Sequence, residues 1–367
     1  MRILVLSTAT GYGGAERSME ILAPELARRA KVLVLTGSLR HRRNLRMAAK
    51  RARVRLPIGW LPLKETRTAT AVAVGIFLLA RIFWRPQAVI ANTERAAVLL
   101  ARASKRWPWA GRRTWIYLRD FRWCDLPGTL ADLPAARMLV PSPALLEPTD
   151  YLVRWVAPRT GRSVCIVPDM VGEVHAGEPQ LVGPILHLAT VNPWKGHVHL
   201  INALAHLARS GRRLPVRSLG LTESPALRRS LQVQIGAAGL DKDFHLLEHV
   251  EDPAMELHAC LGVVVSSVSR DGGPETFGRS IIEAWAHARP VVAFATGGPR
   301  YLIEDEVDGL LVPEGDESAL GEALWRLCSE PGLAARLGMA GREKVRRLYL
   351  VGPVAAQLMA MLESGLE

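Results

Sequence analysis

Cysteine is scarce in this chain of 367 residues, and the four present (Cys124, Cys165, Cys260 and Cys328) lie far apart. They make no CxxC or other metal-type spacing, so neither a disulfide framework nor a zinc site is expected. The chain has no GxGxxG and no GKS or GKT, which leaves dinucleotide and P-loop nucleotide sites without support. Long apolar runs are also missing. The most apolar stretch, Ala69–Trp84, lies largely between Arg67 and Arg81, which enclose 13 uncharged residues. That falls short of the ~20 needed to span a bilayer. It reads as a buried helix or, alternatively, as an interfacial helix touching lipid. The opening run Met1–Ser7 is too short for a signal peptide and reads as a buried strand.

The apolar fraction is 49%, enough for a large core and against bulk disorder. The formal charge of +12 is unevenly divided. Residues 1–172 hold 29 Lys and Arg against 11 Asp and Glu, a net of +18, and residues 173–367 hold 18 against 24, a net of −6. A uniformly basic nucleic-acid-binding surface does not fit that division, and no recognition module of the usual kinds is present. The Arg40–Arg55 segment carries eight basic residues and no acid. Arg40, Arg42, Arg43, Arg46, Lys50 and Arg51 are its candidate contacts for an anionic acceptor or lipid headgroups, against the plainer reading of a solvated face. Seven of the ten tryptophans also lie in the basic half, which suits a surface role or a core.

Short apolar runs alternate with helical patterns throughout. Ile3–Leu6, Val32–Leu35, Ala88–Ala91, Thr114–Leu118, Met138–Val140 and Val164–Val167 are expected strands of the first half. Ile185–Leu188, Val216–Leu219, Phe244–Leu247, Gly262–Ser266, Val291–Ala295 and Gly309–Val312 are those of the second. Runs that are apolar on both faces and separated by helices indicate α/β sheets covered on both sides, one doubly wound sheet per half. Asp169–Pro184 breaks the pattern with three glycines and two prolines, and is the expected linker. The domains are therefore expected at 1–172 and 173–349, with a terminal helix at about 350–367 packing back on the first. A ligand would bind between them, beyond the C-terminal ends of the strands.

Four segments sit where such sheets carry chemistry. Thr10–Arg17 is a glycine-rich turn after the first strand, whose Gly13 and Gly14 let backbone approach a phosphate or sugar. Asn192-Pro193-Trp194-Lys195-Gly196-His197 follows a second-half strand and places Lys195 within reach of a diphosphate. Glu275-Thr276-Phe277-Gly278-Arg279-Ser280-Ile281-Ile282-Glu283 puts one carboxylate before a helix and one inside it. The two would grip different parts of one extended ligand, each through hydroxyls, while the helix N-terminus suits an anion. Thr296-Gly297-Gly298-Pro299-Arg300 is a further strand-end turn.

Taken in order, GGAE, NPWKG, ETFG followed by Glu283, TGG and GLLV (Gly309–Val312) resemble the retaining nucleotide-sugar glycosyltransferases of family 4, which have the GT-B fold of two Rossmann-like domains facing a central cleft. The resemblance implies a transferase moving a hexose-type sugar from a UDP- or GDP-sugar to an acceptor hydroxyl of a sugar, glycan, lipid-linked or metabolite acceptor, as in cell-surface polysaccharide or glycolipid synthesis. It implies Lys195 on the donor diphosphate, Glu275 on the transferred sugar, and Thr276, Phe277 and Gly278 as backbone donors. It further implies Glu283 on the ribose, and Gly13 and Gly14 against donor sugar and diphosphate. No cofactor or metal is implied, since cations and helix dipoles offset the leaving charge. The implied location is cytoplasmic, peripheral on the membrane face.

Three positions depart from that pattern. Thr190 stands where a phosphate-binding Arg is common, and Arg279 is the candidate replacement. Arg119 and Asp120 stand where a His is common, and Tyr301 where a Glu is. Arg119 cannot act as a base, so it would pair with donor phosphate or an acidic acceptor while Asp120 orients it or binds acceptor hydroxyls. A nucleotide-sugar epimerase sharing the donor site is the alternative enzyme.

Overall fold

The computed structural model describes residues 1–8, 13–62, 66–119, 126–133, 136–146, 164–177, 182–250, 252–270 and 273–365. The chain divides into two compact units, Met1–Gly172 with Val351–Glu367, and Glu173–Leu350.

The first unit is built on β1 (Arg2–Leu6), β2 (Lys31–Thr36), β3 (Ile58–Trp60), β4 (Ala88–Ala91), β5 (Thr114–Tyr117), β6 (Arg137–Val140) and β7 (Val164–Ile166). They pair in parallel in the order β3-β2-β1-β4-β5-β6-β7. Its helices include α1 (Gly14–Arg29), α2 (Leu39–Arg51), α3 (Arg67–Trp84), α4 (Glu94–Arg106) and α5 (Leu126–Ala131). Ser38, Thr66 and Thr93 cap α2, α3 and α4 by accepting from the N–H three residues on. Alternation along β1 sorts the layers. Ile3 and Val5 enter the core with α1 and Leu45 of α2, and Leu4 and Leu6 enter the core with Phe77 of α3 and Leu100 of α4.

The second unit has β8 (Ile185–Leu188), β9 (Val216–Leu219), β10 (Phe244–Leu247), β11 (Gly262–Val265), β12 (Val291–Phe294) and β13 (Leu310–Val312), all parallel, in the order β10-β9-β8-β11-β12-β13. Its helices are α6 (His197–Arg209), α7 (Pro225–Ala237), α8 (Ala254–Ala259), α9 (Arg279–Ala286), α10 (Pro299–Leu302), α11 (Glu317–Ser329) and α12 (Leu333–Lys344). The chain ends on α13 (Val351–Ser364), whose Val354, Ala355 and Leu358 enter the first unit's core with Ile3 and Val5.

Each sheet reverses its winding once, between β1 and β4 in the first unit and between β8 and β11 in the second. Loops diverge at such a point and leave room beyond the strand C-termini.

Three expectations change. β3 is a strand the apolar runs do not announce. The expected linker is short, because Asp169, Met170 and Val171 are buried in the first unit and the His175 N–H already donates to Ala286 of the second. The Ala69–Trp84 helix exists but is not a buried one, since only Ala73 and Phe77 of α3 are fully covered.

Candidate functional site

In the second unit, the loops that follow β8, β11 and β12 carry the residues expected to bind the donor. Lys195 ends a short turn, Pro193–Lys195, and Gly196 follows it with φ 71. A Cβ at Gly196 would lie 1.7 Å from the Ser266 carbonyl oxygen, so only glycine permits this approach of the two loops. Ser266 Oγ donates to the Lys195 carbonyl (3.1 Å), and the Val268 N–H donates to the Trp194 carbonyl (2.8 Å). The two loops are thereby stitched together across the β8–β11 switch point.

Lys195 Nζ donates to Glu275 Oε1, and Ser267 Oγ donates to the same oxygen (3.1 Å). The ammonium also sits 3.9 Å from the Trp194 ring centroid. The Lys195 and Glu275 side chains keep 15% and 18% of their surface accessible, enough for either to meet a ligand.

Gly278, in left-handed conformation (φ 97), precedes α9 with no side-chain cap. The Ile281 N–H donates to the Gly278 carbonyl (3.0 Å), and the positive end of the helix dipole lies at this turn, which suits an anion. Arg279 Nη2 donates to Glu283 Oε1 (3.0 Å) one turn on. Phe277 is buried and meets Tyr349 edge-on (centroids 5.8 Å apart), so its side chain is taken up by packing and only its backbone could meet a ligand. The Gly298 N–H donates to the Glu275 carbonyl (2.7 Å), and a Cβ at Gly298 would lie 2.4 Å from Phe277 Cα. The TGG turn thus braces the Glu275–Phe277 backbone from behind.

Beneath Lys195 lie two buried histidines. His187 on β8 shares hydrogen bonds with Ser218 (3.1 Å) and Ser266 (3.4 Å), and burial drives its pKa well below the ordinary value. The His197 ring, edge-on to it at 4.6 Å, is pushed down to about 4 by burial and by the Lys195 charge. Both are neutral at pH 7, which spares the Lys195 loop two buried like charges.

The first unit has its own polar group at the β1–β4 switch point, and it is closed. Arg119, after β5, donates to Asp169 Oδ1 (2.5 Å) and to Asn92 Oδ1 (3.1 Å) and stacks 3.8 Å over the Tyr117 ring. Burial alone would lower the Arg119 pKa; the charge of Asp169 outweighs it and raises it. Ser18 Oγ lies 2.7 Å from Asp169 Oδ1 and 2.8 Å from the Gly14 carbonyl. Asn92 donates to Ser7 Oγ and to the Ala15 carbonyl, both at 3.1 Å. Glu16 reaches back so that its Oε2 accepts from the Gly13 N–H (3.0 Å), and burial raises its pKa. The network holds the Gly13–Ala15 backbone in place from inside.

The structure therefore joins Lys195 to Glu275 and Arg279 to Glu283, and ties Gly14 to Arg119 through Asp169 and Ser18. Asp120 lies outside the described residues. On α2, Arg43, Arg46, Lys50 and Arg51 are exposed and Arg40 and Arg42 half-buried, while His41 anchors the helix by a 2.7 Å contact with Glu20 of α1. Ser267, His187, Asn92 and Asp169 lie outside the motifs, and His197 closes one of them without a role read for it. For Ser267 and Asn92 the available signal is position, one or two residues beyond a strand at a switch point. Cys260 is buried and its thiol pushed up to about 12, so it is no nucleophile near neutrality. Among the described residues, no cluster of three His, Cys, Asp or Glu suits a metal ion.

Residues 184–330 match the family described as Glycosyl transferases group 1. That match lies within the second unit. The chain is 33% identical over 190 residues to a phosphatidyl-myo-inositol mannosyltransferase of Mycobacterium leprae, covering 52% of this chain and 48% of that protein. It is 31% identical over 174 residues to a D-inositol 3-phosphate glycosyltransferase of Xylanimonas cellulosilytica, covering 47% and 40%. The matches thus span about half or less of these relatives' length. Among solved structures, Anabaena HepE in complex with UDP-glucose superposes with a TM-score of 0.79 at 21% identity, covering 99% of this chain and 100% of that one. Sucrose-phosphate synthase from Thermosynechococcus elongatus gives 0.73 at 19%, covering 99% and 98%. The fold is accordingly that of the GT-B glycosyltransferases.

Proposed function

We propose that this protein is a retaining glycosyltransferase that moves a hexose-type sugar from a nucleoside diphosphate sugar to an acceptor hydroxyl. The observation that carries the reading is the Lys195–Glu275 pair at the β8–β11 switch point, beside the N-terminus of α9. Each member satisfies the other in the pair. A nucleotide sugar brings new partners for both: phosphate oxygens for the Lys195 ammonium, and sugar hydroxyls for the Glu275 carboxylate. The first amides of α9 face the same negative charge, which grows on the diphosphate as the glycosidic bond breaks. Glu283 takes the ribose hydroxyls, and Arg279 turns from Glu283 toward phosphate in the role of the missing Arg at Thr190. In this reading no metal is required, because these groups offset the leaving charge.

The acceptor is assigned to the first unit. Arg119 is too enclosed to serve as a phosphate ligand and acts instead by holding the Gly13–Gly14 backbone. The exposed cations of α2 suit an acidic or lipid-linked acceptor. A cytoplasmic setting fits a donor made in the cytoplasm.

A screen of UDP- and GDP-sugars with purified protein, reading nucleoside diphosphate release with and without a lipid extract, tests the reading. Release from one donor is expected. No release from any, or conversion of a donor to an isomeric nucleotide sugar, overturns it. Glu283→Gln is expected to weaken nucleotide binding roughly 10- to 100-fold with the fold intact. Unchanged affinity removes the ribose role.

A further inference from the structure

Helix α3 packs on the first unit's sheet by one face and leaves the other bare. Ala73 and Phe77 are sealed in the core with Leu4, Val89 and Leu100, and Ile76 and Leu78 pack against that core. The opposite face is apolar as well. Val72, Leu79, Ile82 and Phe83 are 47%, 54%, 50% and 78% exposed. With Gly75 they follow the spacing that puts residues on one stripe of a helix. A solvent-facing stripe of an ordinary surface helix carries charge; this one carries none between Arg67 and Arg81.

The surroundings of the stripe are aromatic and basic. Arg81 Nη2 donates to the Trp109 carbonyl (2.9 Å), which fixes the segment after α4 against the C-terminal end of α3. Trp107 and Trp109 on that segment are 37% and 38% exposed. Arg85, Arg106, Arg112 and Arg113 are exposed around the same end. From Thr66 to Arg119 the chain has a single acidic residue, Glu94.

We propose that the α3 stripe is a docking surface for an anionic lipid bilayer, with Val72, Leu79, Ile82 and Phe83 entering the acyl boundary and the Trp–Arg rim lying at headgroup depth. Burying apolar area drives the insertion, and the rim adds attraction to anionic headgroups. The helix lies on the membrane and does not cross it, because Ala73 and Phe77 cannot leave the core. Charge decides against a second copy of the chain as occupant. Arg67 and Arg85 flank the stripe, so a two-fold contact would set arginine against arginine in either direction. This surface is distinct from the cationic face of α2, which belongs to the opposite layer of the same sheet.

The test is co-sedimentation of the full-length protein with vesicles of phosphatidylcholine alone and with about 30% phosphatidylglycerol, the latter supplying the anionic surface potential. The protein is expected to sediment with the anionic vesicles. The double variant Leu79→Glu, Phe83→Glu is expected to bind at least ~10-fold more weakly, from the loss of two buried apolar side chains. Arg43→Glu, Arg46→Glu on α2 is expected to change binding less than about 3-fold. All four positions are exposed, and an unchanged urea midpoint confirms that each variant folds. The proposal is overturned if the unaltered protein ignores anionic vesicles, if the α3 variant binds them equally, or if the α2 variant alone abolishes binding. It is also overturned if the α3 variant does nothing but dissolve a dimer seen by sedimentation velocity. The readout involves no sugar transfer, so it stands or falls apart from the proposed activity.

Discussion

The β1–β4 and β8–β11 switch points occupy the same place in their sheets, yet their polar side chains are arranged in opposite ways. At β1–β4, Arg119, Asp169 and Glu16 are 8%, 5% and 3% exposed and are turned on one another and on the backbone of the glycine loop. At β8–β11, Lys195 and Glu275 form a pair that still reaches solvent. A buried ion pair is costly to break, whereas a pair that still reaches solvent gives up its partner to a ligand at lower cost. The first unit therefore uses charge to shape backbone, and the second keeps a charge pair within reach of a ligand. Most of the expected donor ligands fall in the second.

The largest effect that separates the two is on stability. Arg119→Met removes the buried cation paired with the Asp169 carboxylate and a donor to the Asn92 carbonyl, and is expected to cost about 3–5 kcal/mol in urea unfolding. Lys195→Met is expected to stay within ~1 kcal/mol of the parent, while nucleotide-sugar binding falls at least tenfold. Equal destabilisation by the two substitutions would dissolve the comparison.

Next comes the response to acid, where the units differ in sign. His197 titrates at about 4 in the folded chain and near 6.5 when unfolded. Between those values the unfolded state takes up a proton that the native state refuses, so stability falls as pH drops from 6.5 toward 4. The loss is on the order of 3 kcal/mol for this residue. His187 and His287, lowered chiefly by burial, add to it. Glu16 in the first unit runs the other way. Its pKa is raised, so its contribution is present in acid and is lost as pH rises past the carboxylate range. Urea titrations from pH 4 to 7 are expected to show the stability gain in this window, and His197→Phe is expected to flatten it. A flat parent curve would mean that the rings under Lys195 are hydrated.

How much of this was legible follows from the range of each interaction. The strand Ala88–Ala91 is apolar on both faces, so its run marks it to the residue. β3 escaped because Ile58-Gly59-Trp60 is a short edge strand, half-exposed and interrupted by glycine. Lys195 and Glu275 are legible as motifs beside strand ends, although they stand 80 residues apart. Arg119 was legible as a position but not as a role. Its partner Asp169 lies 50 residues on, in a segment whose glycines and prolines read as a linker. Sequence spacing cannot show that a carboxylate there is folded inward. The α3 stripe is a further case: an apolar helix is visible in composition, but which of its faces stays bare depends on how many neighbours the sheet supplies.

The smallest expected effect is the sharpest, because it compares one chemical change in both places. Ser18 and Ser267 each bring a hydroxyl to a carboxylate oxygen, of Asp169 (2.7 Å) and of Glu275 (3.1 Å). Replacing either by Ala removes one hydrogen bond, worth about 1 kcal/mol. In the first unit that loss is expected to appear in unfolding, because Ser18 and Asp169 are both buried. In the second unit Glu275 keeps Lys195 and can be solvated, so Ser267→Ala is expected to leave unfolding within the error of the measurement. Under the proposed function it acts instead on the orientation of the carboxylate assigned to the sugar. The expected result is a turnover several-fold lower, about what 1 kcal/mol allows, with affinity for the bare nucleotide unchanged. A Ser267→Ala variant that loses stability and keeps its turnover would place Glu275 in the same structural class as Asp169.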